Sequence, residues 1–370
     1  MNAIGLYIDL PFCIQRCSFC SFSVRSYRER EASRYLSALL KEIHRVAADF
    51  SRPRIATAYL GGGTPSLYST AALNTLFDLL HRSFEVAPDI EITIEVHPAT
   101  VNRNTLAHLR SLGINRLSVG VQSLKAEDLQ GMGRRYSPGD VERLVLEARA
   151  VGFENIAMDL IYALPGQSVL DWAANLEKIL RLGPDHLSVY GLSIEPGTLW
   201  GRMWEEGSLS LASEDEEIEM YSLAQSMLKG ENYDHYEISN YARPGHRCRH
   251  NLLYWEGGSY LGVGLSAHSF SAGNRWSNSD ELSEYLYAME NGGLPVTFRE
   301  TLSDDQFARE QLVFGLRKIE GIRLSEAAKQ LLGGPIASLL KTGLLVIQDG
   351  ILRLSGHGIL MADEVAIRLM

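Results

Sequence analysis

The sequence predicts an α/β fold, an incomplete (β/α)6 barrel followed by a smaller, mainly helical C-terminal domain. Short apolar runs alternate with amphipathic stretches through the first half of the chain, which is typical of β-α units around a parallel sheet. About six such units fit into roughly two hundred residues, whereas a closed barrel of this type needs eight. The predicted strands are residues 4–10, 55–60, 90–96, 116–121, 156–161 and 186–191.

The first gap between these strands has a helical period. Apolar side chains recur on one face of residues 29–50, and Pro53 follows the end of the pattern. The side chains of this face are Tyr35, Leu36, Leu39, Ile43, Val46 and Phe50. Similar patterns fill the later gaps, so each strand is predicted to be followed by a helix.

Polar or glycine-rich segments occur at the same end of successive strands. A cysteine-containing loop follows the first strand, and GGGTP (61–65) follows the second. Glu95 ends the third strand, Gln122 follows the fourth, and Asp159 lies near the end of the fifth. The carboxyl ends of parallel strands meet at one rim of a barrel. We therefore expect this rim to carry the chemistry.

The chain is predicted to have three parts. These are a partial barrel (1–200), a barrel extension (201–280) and a C-terminal accessory domain (281–370). Ser213 and Glu216 have the spacing of a helical capping box, as do Ser303 and Gln306. Residues 351–355 alternate in the manner of a short strand, and a winged helix is one candidate architecture for the last part.

Charge and hydropathy exclude several classes of protein. The chain has 370 residues, is 45% hydrophobic and has a formal net charge of −10, which argues against general binding to nucleic acid. No apolar run is long enough to span a bilayer, and the N-terminus lacks a leader-like pattern. We expect a cytoplasmic protein, either free or attached peripherally at the inner face of the membrane.

Three cysteines, Cys13, Cys17 and Cys20, have the spacing C-x3-C-x2-C directly after the first strand. Most iron–sulfur cubanes have four thiolate ligands. Three thiolates would leave one iron with an open position, where a second ligand can bind and accept an electron. The loop resembles that of the radical S-adenosylmethionine (SAM) enzymes, including the aromatic Phe19 beside the last cysteine.

Two other uses of these cysteines are weaker. A structural zinc site needs four ligands, and the remaining cysteine, Cys248, lies far along the chain. A disulfide framework is disfavoured because four cysteines are sparse for a chain of this length and nothing indicates an oxidising compartment.

The other rim residues have both structural and functional interpretations. Glycines at a strand-to-helix turn often serve only close packing, but here they would also let backbone amides approach a ligand, with the Thr64 hydroxyl beside them. Charged or amide groups that end apolar strands need a partner, which is either a protein group or a ligand. Arg134 and Arg135 are suited to gripping a carboxylate such as that of SAM, although an exposed arginine pair is commonplace.

A second motif lies in the barrel extension. His250, Asn251 and Tyr254 form HNxxY, with Cys248 two residues upstream. Histidine, tyrosine and cysteine all occur as axial haem ligands. The alternative is a histidine that is hydrogen-bonded for structural reasons.

The chain as a whole resembles the oxygen-independent coproporphyrinogen III oxidase family of radical SAM proteins, and most closely its haem-chaperone branch. The resemblance covers essentially the entire length, and this number of ordered blocks is far more specific than any one block. The blocks are LYIDLPFCIQRCSFC, YLGGGTPSL, ITIEVHP, NRLSVGVQSL, DLIYALPGQ, DHLSVYGLSIEPGT, YEISNYA, HNLLYW and YLGVGLSAHS.

The resemblance implies a [4Fe–4S] cluster held by Cys13, Cys17 and Cys20, and a bound SAM that the cluster cleaves to methionine and a 5′-deoxyadenosyl radical. The positions that contact SAM in the family correspond here to Tyr7, Phe19, Gly62, Gly63, Thr64, Glu95, Gln122, Arg134, Asp159 and Ser193. The family places haem near HNxxY, so His250 is the first ligand candidate and Tyr254 the second.

Local departures bear on the choice of branch. Oxidases of the family carry a further cysteine two residues after the last ligand, where this chain has Phe22, and a longer segment before the cluster loop. Both features favour the chaperone branch. Asp9 replaces a common histidine and Ala163 replaces a common glycine, which affects the fine geometry of the site.

The resemblance therefore implies a chaperone with haem as its cargo, respiratory haemoproteins as recipients and a low-potential electron donor as a further partner. The alternative is an enzyme that removes two propionate carboxyls from coproporphyrinogen III by radical oxidative decarboxylation, giving protoporphyrinogen IX. A radical SAM enzyme that acts on another tetrapyrrole or small molecule is a third possibility.

Overall fold

The computed structural model describes residues 3–370 of the chain. The strands, in chain order, are β1 (Ile4–Leu10), β2 (Phe12–Cys13), β3 (Arg25–Ser26), β4 (Arg54–Gly62), β5 (Glu85–Val96), β6 (Arg116–Gln122), β7 (Ile156–Tyr162), β8 (His186–Gly191), β9 (Asp234–Glu237), β10 (Asn240–Ala242), β11 (Tyr260–Val263), β12 (His268–Ser271), β13 (Asn274–Asn278), β14 (Val296–Thr301), β15 (Ile322–Arg323), β16 (Leu345–Gln348) and β17 (Ile351–Leu354).

Helices connect most of these strands. They are α1 (Glu29–Asp49), α2 (Thr70–Ser83), α3 (Arg103–Ser111), α4 (Ala126–Gly131), α5 (Pro138–Ala150), α6 (Val169–Arg181), α7 (Leu199–Glu205), α8 (Glu214–Gly230), α9 (Arg249–Trp255), α10 (Leu282–Glu290), α11 (Asp304–Gly315), α12 (Glu326–Lys341), α13 (Gly356–Leu360) and α14 (Ala362–Leu369). A short 3-10 helix, Pro65–Leu67, follows β4.

The predicted partial barrel is confirmed. β1, β4, β5, β6, β7 and β8 are hydrogen-bonded neighbours in that order, and each adjacent pair is parallel. β11 adds a further parallel strand beside β1, and antiparallel strands extend the sheet at both ends. β5 begins at Glu85, earlier than predicted, because its first residues pair with β4 before an irregularity in the register.

The parallel strands alternate in polarity, and this alternation separates the two faces of the sheet. In β6, Leu117, Val119 and Val121 are buried in the hydrophobic core, whereas Arg116 and Ser118 occupy the alternate positions. The apolar side chains pack against the surrounding helices, including α1, whose apolar face is the predicted one. Since side chains of a strand alternate between faces, the other face presents a series of polar groups to the barrel interior.

Helix α9, which carries the HNxxY motif, packs against β4. Its N-terminus is capped from another element: the Glu91 carboxylate accepts hydrogen bonds from the backbone N–H groups of Arg249 and His250 at 3.1 and 3.0 Å. A carboxylate at a helix N-terminus satisfies donors that have no partner within the helix. The Glu91 side chain therefore caps the helix that carries the motif.

The C-terminal region has its own small core and sheet. β15, β17 and β16 form a three-stranded antiparallel sheet in that order, and α11, α12 and α14 supply apolar side chains to this second core. β17 corresponds to the strand predicted near residues 351–355. The division at 1–200, 201–280 and 281–370 stays a prediction, and so does the winged helix. Because α10 packs in the larger core and β14 pairs in the larger sheet, the smaller core begins beyond them.

Both predicted capping boxes are present. The Ser213 hydroxyl accepts from the Glu216 backbone N–H while the Glu216 carboxylate accepts from Ser213, and Ser303 and Gln306 form the same pair at the start of α11. Along residues 3–370, no helix is both long and apolar enough to cross a membrane.

Candidate functional site

The cysteine loop is held by contacts on both sides. The Ser18 backbone N–H donates to the Met132 carbonyl at 3.1 Å, and the Ser18 hydroxyl donates to the Gly131 carbonyl at 3.0 Å. Phe19 packs against Trp200 of α7, and the Arg16 guanidinium donates to the Cys20 carbonyl at 3.0 Å. These contacts keep the loop compact on the carboxyl rim, where the sequence predicted it.

All three cysteines of the loop face one cavity. The Thr64 hydroxyl donates a hydrogen bond to Cys13 Sγ at 3.5 Å. Burial raises the pKa of the Cys13 thiol to about 11, and burial also raises the pKa of Cys20. Four thiols of the chain, Cys248 included, are free, so the loop thiols are not consumed by disulfides.

The donor set suits a cluster better than a single ion. Among the described residues, no three His, Cys, Asp or Glu side chains are placed to hold one metal ion. The ligands of a cubane bind different iron atoms, so their sulfurs lie farther apart than the ligands of one zinc ion. Three free thiols around a shared cavity therefore fit a [4Fe–4S] cluster with one iron left open.

The glycine loop after β4 packs closely on the cysteine loop. A Cβ atom at Gly63 would lie 2.7–2.8 Å from backbone atoms of Pro11 and Phe12, and Gly62 has a φ of +97°. The Gly63 and Thr64 N–H groups donate to the Leu10 and Phe12 carbonyls at 3.1 and 2.9 Å. These two amides therefore already have acceptors within the protein, and the expectation that backbone amides of this segment approach a ligand stays a prediction. The Thr64 side chain faces the cavity.

Two carboxyl groups lie together in the cavity wall. Glu95 accepts a hydrogen bond from the Tyr59 hydroxyl at 3.1 Å, and burial together with the charge of Asp159 raises the pKa of Glu95 to about 8. Burial also raises the pKa of Asp159, although the Ser118 hydroxyl donates to its carboxylate at 3.2 Å. A bound cation or hydroxyl donor would stabilise these groups in their charged form.

The two neighbouring arginines predicted near Gln122 have different positions. Arg134 lines the cavity, donates to the Gly120 carbonyl at 2.9 Å and lies over the Tyr136 ring. Arg135 is exposed and does not line the cavity. Of these two arginines, Arg134 is therefore the one that can bind a ligand carboxylate. Gln122 adopts a left-handed φ of +60°, which turns the chain at the end of β6.

The cavity has a volume of about 530 Å³ and brings most of the predicted site together. The predicted residues that line it are Cys13, Cys17, Phe19, Cys20, Gly62, Gly63, Thr64, Glu95, Gln122, Arg134, Asp159 and Ser193. Tyr7 does not line it: its ring stacks on Tyr59, and its hydroxyl lies 3.5 Å from Asp9.

The predicted haem candidates lie apart from this cavity. His250 is buried, with Nδ1 hydrogen-bonded to the Thr57 hydroxyl and Nε2 to the Tyr254 hydroxyl, both at 2.8 Å. Burial lowers the pKa of His250 to about 3, so the ring is neutral. Only Asn251 of the motif lines the cavity. Cys248 is fully buried against Glu91.

Several cavity residues were not predicted from the sequence. His97 follows β5 and receives a hydrogen bond from the Ala99 N–H on Nδ1 at 3.2 Å, and burial lowers its pKa to about 4. Its proton is therefore on Nε2. The other unpredicted lining residues include Tyr59, Arg116, Ser118, Ser188 and Asn251. For the residues of this group that lie in strands, the signal is the two-residue polar alternation, which identifies side chains of the barrel interior. Asn251 lies in α9 and His97 follows β5, so this signal does not apply to them.

The local departures from the family pattern have structural consequences. Ala163 has a left-handed φ of +58°, a conformation that favours glycine. Asp9 is buried, and its carboxylate occupies the space of a Cβ atom at Gly62. Phe22, which stands where the oxidases have a cysteine, is 69% exposed beside the cluster loop.

Two family profiles match the chain. Residues 7–179 match the Radical SAM superfamily, and residues 302–361 match the HemN C-terminal domain. A heme chaperone HemW from Mycobacterium tuberculosis is 34% identical over 99% of this chain and 94% of its own length. The Bacillus subtilis heme chaperone HemW is 32% identical over 97% of both chains.

A solved structure agrees with these matches. The coproporphyrinogen III oxidase (HemN) from Escherichia coli, a radical SAM enzyme, superimposes with a TM-score of 0.87 and 26% identity, covering 99% of this chain and 90% of the oxidase. The similarity thus includes the barrel, its extension and the C-terminal region. The chain belongs to the radical SAM superfamily and, within it, to the HemW branch of the oxygen-independent coproporphyrinogen III oxidase family.

Proposed function

We propose that this protein is a haem chaperone that binds haem and a [4Fe–4S] cluster with SAM and transfers haem to respiratory haemoproteins. The observation that carries the proposal is the similarity, over almost the full length of both chains, to proteins named heme chaperone HemW from separate bacteria. Cytoplasmic location, with or without peripheral attachment to the membrane, is part of the proposal.

Cys13, Cys17 and Cys20 are proposed to hold the cluster, because their thiols are free and face the same cavity. The cluster with SAM supplies one-electron chemistry when bound, and its reduction requires a low-potential donor. The Thr64 hydroxyl donates a hydrogen bond to the Cys13 sulfur and so helps to orient it.

The rim of the cavity is proposed to bind SAM. We assign the SAM carboxylate to Arg134, and the support is that its guanidinium lies beside the cysteine loop and lines the cavity. We assign the donor groups of the same ligand, its ammonium and its ribose hydroxyls, to Glu95 and Asp159, which line the cavity as well. Tyr7 is the one proposed contact that does not line the cavity, and its ring stacks on Tyr59, which does. The other proposed contacts are Phe19, Gly62, Gly63, Thr64, Gln122 and Ser193.

Haem is proposed to bind near HNxxY, with His250 as the first ligand candidate and Tyr254 as the second. Ligation through His250 Nε2 requires the Tyr254 hydroxyl to leave its present hydrogen bond. α9 lies between the barrel and the C-terminal region, with Trp255 against Phe314 and under the Arg317 guanidinium. Haem loading through His250 therefore requires a local movement of α9, because His250 is only 1% exposed.

The second candidate function is the oxidative decarboxylation of coproporphyrinogen III. The observation in its favour is the close superposition on the Escherichia coli oxidase. Phe22, in place of the additional cysteine, favours the chaperone.

Anaerobic turnover separates the two functions. The cluster-reconstituted protein is given SAM, a strong reductant and coproporphyrinogen III, and the products are identified by mass spectrometry. We expect intact porphyrinogen, with 5′-deoxyadenosine measured in parallel as a test of SAM cleavage. Loss of at least one molecule of carbon dioxide from the porphyrinogen per molecule of protein would identify an oxidase instead.

Haem transfer is tested with haem-loaded protein and an apo-haemoprotein of a respiratory chain. We expect the haem absorbance to move to the acceptor after the two proteins are separated. Retention of all haem by the donor, at acceptor concentrations well above stoichiometry, would contradict the chaperone proposal.

A further inference from the structure

The cavity continues below the proposed SAM residues into the barrel. In the sheet register, Glu95 pairs with Ser118, and Thr93 pairs with Arg116. Arg116 therefore lies two residues nearer the amino ends of the strands, about 6–7 Å deeper along the strand direction. Both Arg116 and Ser118 line the cavity, and Asn251 of α9 lines it as well. We call the part of the cavity lined by Tyr59, Arg116, Ser118 and Asn251 the lower chamber.

Arg116 is the exceptional group of the lower chamber. It is only 2% exposed, and among residues 3–370 its Nε has no hydrogen-bond partner. A guanidinium carries five donors, and burying a charge without a partner costs several kcal/mol. Its neighbour across the strands, Thr93, also has a buried hydroxyl without a partner. Thr93 is not among the residues that line the cavity, so it is the unpaired Arg116 side chain, which does line it, that marks this end as a place for a ligand.

The acidic neighbours of Arg116 do not supply a hydrogen-bond partner for its buried guanidinium. The Arg116 charge interacts over a longer range with Cys248 and Glu91, and it also acts to lower the pKa of Asp159, whose carboxylate accepts a hydrogen bond from the Ser118 hydroxyl. The Glu91 oxygens, however, accept hydrogen bonds from the N–H groups of Arg249 and His250 and from the Cys248 thiol. Glu91 is therefore directed to α9, and the guanidinium remains available on the cavity side.

The chemistry of the walls selects the ligand. Guanidinium groups bind carboxylates and phosphates through paired N–H groups. Glu95 lines the cavity at the level of Ser118 and Asp159 lines it nearer the carboxyl ends of the strands. Any negative charge on these two groups repels a doubly charged phosphate more strongly than a singly charged carboxylate. The Ser118 and Tyr59 hydroxyls already donate to these acidic side chains, which leaves Arg116 as the charged donor of the chamber, with the neutral Asn251 amide beside it.

We propose that the lower chamber is a carboxylate-binding site, with Arg116 as its anchor, that receives a carboxylate on a short aliphatic arm. The arm has two possible sources, a propionate of a bound tetrapyrrole or a free small carboxylic acid. The first source rests on the proposed function, and the second does not. In either case the site is separate from the arginine assigned to SAM, Arg134.

The test compares the binding of two iron-free porphyrins. One carries two propionic acid arms, and the other is its bis-amide, which has the same shape without the charges. Binding to the cluster-reconstituted wild-type protein is followed by fluorescence, and binding of free propionate by calorimetry. The variants are Arg116→Gln, which removes the charge, and Arg116→Lys, which keeps it. Arg103→Gln, on an exposed arginine at the start of α3, is the matched control.

We expect wild type and Arg103→Gln to bind the acid at least about tenfold more tightly than the amide, as the loss of a charged hydrogen bond implies. Arg116→Gln should bring this ratio to about one, and Arg116→Lys should retain part of it. A purely structural role of Arg116 would lower the melting temperature without changing the ratio. If Arg116→Gln does not fold, the ratio of acid to amide affinity is still compared between wild type and Arg116→Lys, which measures how far binding depends on the guanidinium.

The remaining outcomes separate this site from the proposed function. Equal binding of acid and amide by wild type would overturn the site while leaving tetrapyrrole binding intact. Failure to bind either porphyrin, together with Arg116-dependent binding of propionate, would support the site with a free carboxylate as its source. Absence of both kinds of binding would overturn the site.

Discussion

The cysteines of this chain differ sharply in their surroundings. Cys13, Cys17 and Cys20 are partly exposed and face a cavity, whereas Cys248 is fully buried and its thiol donates to Glu91 at 3.7 Å. A cluster ligand needs access to iron, and Cys248 has none in this conformation. The loop cysteines and Cys248 should therefore respond differently to the same substitution.

Cys17→Ala should abolish the brown chromophore that forms on anaerobic reconstitution with iron and sulfide, because two loop thiolates are too few to hold a cubane. Cys248→Ala is the matched control and should retain full iron and sulfide content. The measurement is absorbance together with iron and sulfide analysis of the desalted proteins. A Cys17→Ala protein with unchanged cluster stoichiometry would refute the ligand assignment.

The hydrogen bond between His250 and Tyr254 allows the two haem candidates to be separated. Tyr254→Phe removes the hydroxyl bonded to Nε2, so haem loading should be kept or increased if His250 is the ligand. His250→Ala should then weaken loading by about tenfold or more, with cluster absorbance unchanged. Haem titration followed by absorbance measures both variants. Loss of loading in Tyr254→Phe with normal loading in His250→Ala would assign the ligand to Tyr254.

At the scale of elements, the site depends on two loops that touch. The glycine loop after β4 donates its amides to the cysteine loop after β1, and the absence of a side chain at Gly63 permits the backbone contact. These loops follow neighbouring parallel strands, β1 and β4. The glycine loop thus stabilises the cysteine loop directly and also positions the Thr64 side chain at the cavity.

Gly63→Ala should destabilise the protein by about 1–3 kcal/mol, because the added Cβ would overlap backbone atoms of the cysteine loop. Cluster content after reconstitution should fall as well, since the loop must shift. Gly230→Ala, at the end of α8 with open space around it, should stabilise by about 0.5–1 kcal/mol. Denaturant unfolding measures both. Equal stability of Gly63→Ala and wild type would show that the loops can separate without cost.

Across the whole molecule, one buried carboxyl connects the barrel to its extension. Glu42 of α1 accepts hydrogen bonds from Asn278 at 2.6 Å, from the Gly264 N–H at 2.9 Å and from the Tyr285 hydroxyl at 2.5 Å. These partners lie in β13, after β11 and in α10. Although the hydrogen bonds favour the charged form, burial is the larger effect and raises the pKa of Glu42 from 4.5 to about 7.

This raised pKa predicts a pH dependence of stability. The folded state binds the Glu42 proton more tightly than the unfolded state, so its contribution is complete below about pH 4.5 and is lost as the pH rises through 7. Relative to Glu42→Gln, the wild-type free energy of unfolding should fall by about 2 kcal/mol between about pH 5.5 and 8. Urea unfolding followed by tryptophan fluorescence measures the free energy of unfolding of both proteins at each pH. Glu219→Gln, on an exposed residue of α8, should show no such trend, and a constant difference for Glu42→Gln would contradict the assignment.

Much of the fold followed from local patterns. The six parallel strands, α1 and both capping boxes depend on periodicity and spacing within short segments. The cysteine spacing and the polar ends of the strands indicated the rim, because parallel strands bring their carboxyl ends together whatever the details of packing. Arg134 and Asp159 are site candidates both from their positions relative to the predicted strands and from the resemblance, and both line the cavity.

Residue type and spacing along the chain are enough to predict the partial barrel, the cysteine loop and the rim that carries the site. Three features became visible only in the folded chain: the Gly63 and Thr64 amides have acceptors at the cysteine loop, both ring nitrogens of His250 are hydrogen-bonded, and Arg116 lines the cavity. Each of these depends on a contact between segments distant in sequence, and no local pattern encodes which hydrogen-bond partner a buried polar group meets.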